Sequence, residues 1–239
     1  MRYYIGCSGW SYKHWKGVFY PDDLPQTKWL QHYVKHFNTV EINSTFYRFP
    51  GKETLQQWYN ETPEDFTFTL KGSRYITHMK KLKNVEESVQ NFYEQGQVMG
   101  DKIGCILWQL PPNLHRNDDK LEAFCKALSN DFRNVIEFRH ESWFNDDVCN
   151  ILQKHNVGFC IISTPDLPAM IRVTADVVYV RFHGKDEEWY TYNYGNDELQ
   201  RWAEAIKKRQ APQQYIYFNN DDRAHAVQNA QQLSDYLSK

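Results

Sequence analysis

Strand-like and helix-like segments alternate from one end of the sequence to the other, and that alternation restricts the chain to an α/β architecture with a parallel sheet. The strand-like runs are Tyr3–Cys7, Thr39–Asn43, Phe66–Lys71, Ile103–Leu110, Val135–Arg139, Gly158–Ser163, Val177–His183 and Tyr215–Asn219. Between them apolar residues recur at helical spacing, as in Trp29, Leu30, Tyr33, Val34 and Phe37 within a helix expected over Thr27–His36. Further helices are expected at Leu55–Asn60, around Val85, Val89, Phe92 and Met99, and around Leu121, Phe124, Cys125 and Leu128. Later ones carry Val148, Ile151 and Leu152, then Leu199, Trp202 and Ile206, and finally Val227, Ala230, Leu233 and Leu237. The connection Thr164–Asp176 is short and broken by proline, so the sixth unit is expected to be irregular.

Eight strands with helices between them and no linker fit a sheet closed into a barrel. The 239 residues are close to the ~250 that a (β/α)8 barrel of the TIM type uses. An open doubly wound sheet is the competing arrangement, but no GxGxxG follows the first strand. The expectation is one barrel domain over residues 1–239.

Side chains alternate faces along a strand, and the polar residues of these strands gather at one end with matching parity. They are Glu41 and Asn43, Lys71, Gln109, Glu137 and Arg139, Arg181 and His183, and Asn219. The strand bodies before them are apolar. In a β/α barrel the carboxyl ends carry the active site. An ion-pair network that merely closes the barrel is the alternative, though a buried charge cluster is a poor source of stability.

The charge balance of −2 lacks the basic excess of a non-specific nucleic-acid binder. Cys7, Cys105, Cys125, Cys149 and Cys160 form no CxxC pair, and an odd number without a leader reads as reduced core thiols of a cytoplasmic protein. No apolar run approaches the ~20 residues of a membrane span.

The stretches YIGCSGWSYKHWKGVFYP, FNTVEINSTFYRFP and FTFTLKGSRYITH, followed by ILWQLPP, EFRHESW, VVYVRFHG and YFNNDDRAHAVQNAQQL, resemble the YecE-like family, domain of unknown function seventy-two. The match runs in order along nearly the whole chain. It implies a β/α barrel and brings no agreed catalytic residues, so roles are assigned from position and chemistry. Variation within the family at the first-strand loop and after strand six makes Ser8 and Asp166 weaker candidates than Glu41 or Glu137.

Glu41 and Glu137 are the carboxylates expected at inward strand tips. They suit acid–base work, with His183 assisting, or serve as partners that position Arg139 and Arg181. Lys71, Arg74, Arg139 and Arg181 supply positive charge for a carboxylate or phosphate. A Schiff-base role for Lys71 requires desolvation and a lowered pKa. Asn43, Gln109 and Asn219 offer amides, His140 a further titratable ring, and Trp10, Tyr47, Trp143, Tyr192 and Tyr194 rings that stack on a ligand or seal the barrel top. An oxygen-rich metal set of Glu41, Glu137, His183, Asp166 and Asp221 is disfavoured by the nearby arginines and by the lack of HExxH or HxH. No cofactor is expected. These residues suggest a hydrolase or isomerase acting on a small anionic or sugar-like metabolite. A phosphodiester or nucleic-acid processor and a non-catalytic ligand sensor are the alternatives.

Overall fold

Each of the eight apolar runs forms a strand in the computed structural model, which describes residues 1–185 and 190–238. They are β1 (Arg2–Cys7), β2 (Thr39–Ile42), β3 (Thr67–Lys71), β4 (Ile103–Gln109), β5 (Asn134–Glu137), β6 (Gly158–Ser163), β7 (Val177–Phe182) and β8 (Gln213–Phe218). The order around the sheet is β1-β8-β7-β6-β5-β4-β3-β2, and every paired neighbour is parallel. This is the (β/α)8 barrel expected from the alternation, nearly closed on itself.

The helices are α1 (Trp29–Tyr33), α2 (Ser44–Tyr47), α3 (Lys52–Glu61), α4 (Glu86–Gly96), α5 (Asp118–Ala127), α6 (Asp146–Lys154), α7 (Asn196–Lys207) and α8 (His225–Ser238). Local chemistry fixes several of their starts. Asn117 and Asn145 accept from the amides of Lys120 and Val148 at the heads of α5 and α6, and paired aspartates follow each cap, where the helix dipole favours them. The buried stripe of α6, Val148, Cys149 and Leu152, then faces the sheet. The first helix is shorter than its spacing predicts. A 3-10 turn at Gln26–Lys28 precedes α1, and bonds from Lys35 to His32 and from His36 to Tyr33 tighten the chain after it. The sixth connection carries no helix, as its prolines foretell. The Thr174 hydroxyl bonds it to β6 instead, donating to Val157 O (2.6 Å) and accepting from Phe159 N (2.8 Å).

Two apolar layers result. Outward-facing strand residues pack against the helices, while Tyr4, Cys105, Leu107, Val135, Cys160, Ile162, Val177, Tyr179, Tyr215 and Tyr217 fill the lumen. At its amino end Tyr4 stacks on Tyr215 with centroids 4.6 Å apart. One level up, the Tyr217 hydroxyl lies 2.6 Å from Thr39 Oγ1 and 2.8 Å from Thr69 Oγ1, so its burial leaves no orphaned polar atom. All five cysteines are free and buried, as expected of core thiols.

The seam between β1 and β2 has no strand ladder among the described residues, and side chains replace it. The Asn38 amide accepts from Ile5 N (3.0 Å) and donates to Tyr3 O (2.8 Å). The Tyr33 hydroxyl accepts from Cys7 N (2.8 Å) and donates to Thr39 O (3.0 Å), and Asn43 donates to Ser8 O (3.1 Å). Gly6 permits this approach, because a Cβ there would meet Thr39 O at 2.1 Å. No helix among the described residues is long and apolar enough to cross a membrane.

Candidate functional site

The inward parity of the strands carries their polar tips into two levels at the carboxyl end. The lower level is closed to solvent: Glu41 (β2), Glu137 (β5), Arg181 (β7) and His183, just past β7, are each fully buried. Arg181 stands at its centre. Its Nη1 donates to Glu137 Oε2 (2.5 Å) and its Nη2 to Glu41 Oε1 (2.6 Å). Tyr179, two residues earlier on β7 and so on the same face, donates its hydroxyl to Glu41 Oε2 (2.6 Å). Arg139 Nε donates to Glu137 Oε1. Burial pushes the Glu137 carboxyl up, but Arg139 and Arg181 overcome it and hold the group ionised, well below the usual carboxylate range.

His183 completes this level as a neutral ring. Burial and then the charges of Arg139 and Arg181 lower it to about 3, against the opposing pull of Glu137. Its Nε2 lies between a donor, Arg139 Nη2 at 3.2 Å, and an acceptor, Glu137 Oε1 at 3.5 Å, so either tautomer finds a partner there. The Asn219 amide nitrogen lies 3.2 Å from Nδ1, and Asn219 also lines the cavity above. A folded-state pKa below the unfolded value of about 6.5 means that the unfolded chain binds a proton the folded chain refuses. Stability should thus fall as pH drops from about 6.5, by about 2 kcal/mol at pH 5. Glu137 adds its own loss below about pH 4, since its stabilising effect needs the ionised form. Urea denaturation across this range should show a flatter upper slope for His183→Gln, and equal slopes would rule out the neutral imidazole.

The upper level opens on a cavity of about 420 Å³ lined by Phe46, Tyr47, Lys71, Arg74, His78, Gln109, Tyr190 and Asn219. Lys71 ends β3, with its Nζ 4.7 Å from the centre of the Phe46 ring. No ion pair or hydrogen bond is made by that ammonium among the described residues. Burial, followed by the charge of Arg181, lowers Lys71 to about 8 despite Glu41 and Glu137. Arg74 lies over the exposed Tyr47 ring at 5.9 Å and has no carboxylate partner among the described residues. Burial and the cations Lys71 and Arg74 bring His78 down to about 4, so it too is neutral. The carboxylates of the lower level are committed to Arg181 and Arg139. Among the described residues, the cations that line the cavity are therefore Lys71 and Arg74, and no carboxylate lines it with them.

Of the tips expected from strand parity, Glu41, Glu137, Arg139, Arg181 and His183 meet in the lower level and Lys71, Gln109 and Asn219 around the cavity, whereas Asn43 joins neither. Tyr47 and Arg74 reach the cavity from the loops after β2 and β3. Other candidates lie elsewhere. Trp143 is fully buried in the outer layer, stacked on Phe138 and donating to Leu114 O (2.7 Å). His140 stacks on His115 and bonds Ser142. Trp10 and Asn43 line a separate cavity with Trp58, across the short helix α2. Tyr194 is buried, bonding Ser163 Oγ (2.9 Å), and Tyr192 donates to Glu198 (2.9 Å). Asp221 accepts from the Trp15 indole (2.7 Å), and no group of three or more His, Cys, Asp or Glu among the described residues is arranged to hold a metal ion. Sequence reading overlooked Phe46 as a lining residue and Tyr179 as a Glu41 partner; the parity of Tyr179 with Arg181 was the signal for the second.

The comparisons agree with this architecture along the full length. The UPF0759 protein YunF of Bacillus subtilis (strain 168) is 25% identical over 268 residues, covering 98% of this chain and 94% of its own. The UPF0759 protein YecE of Escherichia coli (strain K12) is 26% identical over 263 residues, covering 99% and 93%. The crystal structure of a DUF72 family protein from Thermotoga maritima MSB8 superposes with a TM-score of 0.92 at 30% identity, covering 100% of both chains. The family model described as protein of unknown function DUF72 matches residues 4–239, and the chain belongs to that family.

Proposed function

We propose that this barrel is an enzyme of hydrolase or isomerase type whose cavity takes a small anionic or polyhydroxylated metabolite at the carboxyl ends of the strands. The observation that carries the reading is the pair of cations, Lys71 and Arg74, that line one cavity without a carboxylate partner among the described residues. A partly buried ammonium with no counter-ion is costly unless an anion completes it. Gln109 and Asn219 add amide donors for hydroxyls or phosphate oxygens. The cavity is sized for a metabolite rather than a polymer.

Beneath the ligand, Glu41 and Glu137 hold Arg181 and Arg139 in place, and with His183 they form the groups nearest to hand for moving protons. Thermal melting against sugar phosphates and carboxylic acids tests the binding half. A true ligand at a hundred times its Kd adds about 2.7 kcal/mol, and Lys71→Ala should weaken it roughly tenfold to a hundredfold. Unchanged affinity in that variant overturns the anion site. Glu137→Gln and Glu41→Gln test the catalytic half: turnover of an identified ligand should fall by about 10²–10⁴, and full turnover in both would overturn the acid–base assignment. A steep dependence of affinity on salt would indicate several phosphate contacts and hence a nucleic acid.

A further inference from the structure

Lys71 occupies the one position in this cavity from which an amine can act as a nucleophile. It projects from the end of β3, a rigid element, and lines the cavity beside Arg74, His78, Gln109 and Asn219. Its nitrogen lies over the Phe46 ring, 4.7 Å from the centroid, and a benzene ring offers the amine lone pair no N–H or O–H donor. Charged and titratable groups meet it from every neighbouring element: Arg74 and His78 from the turn after β3, Glu41 from β2, Glu137 and Arg139 from β5, and Arg181 from β7. The two carboxylates that would stabilise an ammonium are already bonded to the two guanidiniums.

We propose that Lys71 forms an imine with a small carbonyl compound that also carries a phosphate or carboxylate, held by Arg74. The proposal rests on the anion-binding reading above and names its substrate class. In the step, the Nζ lone pair attacks the carbonyl carbon, the C=O π pair moves to oxygen, and the proton released by nitrogen ends on that oxygen. The carbinolamine then loses water as nitrogen gives up its second proton, leaving C=N in place of C=O. Amine and carbonyl are converted to imine and water, with no change of oxidation state. Such an imine withdraws electrons from the adjacent carbon, the activation that an isomerase or a C–C cleaving enzyme needs. The surroundings favour the free amine in the same sense as the geometry: burial and Arg181 bring Lys71 down to about 8. At pH 7 that leaves a free-amine fraction on the order of a hundredfold above that of a solvated lysine.

The experiment is reductive trapping. The full chain is incubated at pH 7 with sodium cyanoborohydride and either pyruvate or dihydroxyacetone phosphate, then read by intact mass and peptide mapping. Inorganic phosphate and thermal melting report the anion site separately. The expected result is a single adduct on Lys71, heavier by the carbonyl compound less one oxygen, formed at least about tenfold faster than on the exposed Lys52. Trapping should rise through about pH 8. Lys71→Arg should abolish the adduct while retaining stabilisation by phosphate, because it keeps the charge and removes the nucleophile. Stabilisation by phosphate without an adduct on Lys71 from either probe overturns the imine and leaves the anion site standing. Loss of both overturns both. Labelling spread evenly over the surface lysines also overturns the proposal.

Discussion

Arg181→Met is expected to cost about 3–5 kcal/mol of folding stability, the range for removing one partner of a buried ion pair. The guanidinium and both carboxylates it bridges are fully buried, so its loss leaves Glu41 with the Tyr179 hydroxyl alone and Glu137 with Arg139. Methionine fills much of the volume but cannot answer either charge. Against a total of about 5–15 kcal/mol for an ordinary domain, that loss brings the barrel close to unfolding at ambient temperature. Adding Glu41→Gln and Glu137→Gln to the same chain removes the charges and should recover a large part of the loss, since neutral amides cost less to bury than ions. Urea denaturation of the single and triple variants measures both numbers. A single variant within about 1 kcal/mol of the parent would mean that water reaches this level and that the charges are not desolvated.

The second large effect is expected at the β1–β2 seam. Tyr33→Phe removes the acceptor for Cys7 N and the donor to Thr39 O, and Asn38→Ala does the same for Ile5 N and Tyr3 O. The Tyr33 change leaves two buried backbone groups without their partner, at about 1–3 kcal/mol each, and the Asn38 change two part-buried ones that water can reach at smaller cost. The double variant should lose about 3–5 kcal/mol, and its amide exchange should quicken at Ile5 and Cys7 before it does in β4 or β5. Uniform exchange along all strands would show that the seam closes by other means.

Strand parity carried much of the site. Because strand side chains alternate strictly, FTFTLK, EFR and RFH by themselves put Lys71, Glu137, Arg139, Arg181 and His183 on the inward face. Depth was not legible in the same way. Whether a tip lies in the closed level or at the mouth depends on the stagger of neighbouring strands, as when Gln109 pairs with Glu137 while Lys71 pairs with Leu107. The loops were harder still. Trp143 sits in ESW, a 3-10 turn whose direction is set by its bond to Leu114, and no periodicity encodes that contact. Asn38 and Tyr33 read locally as a turn residue and a helix-face aromatic, and their partners on β1 lie about thirty residues away.

A barrel stitched by side chains at one place also has an order of assembly written into it. The hydrogen-bonded partner of β1 is β8, so the first strand to be synthesised has no ladder until nearly the whole chain exists. Strands β2 to β7 can zip successively, each onto the one before, through loops of modest length. The closure of β1 is the most non-local event in the molecule and carries the largest entropic delay. The Arg181 level joins β2, β5 and β7, none of which waits for β1. The polar floor of the cavity is therefore free to form on an open sheet, with the ring completed around it afterwards.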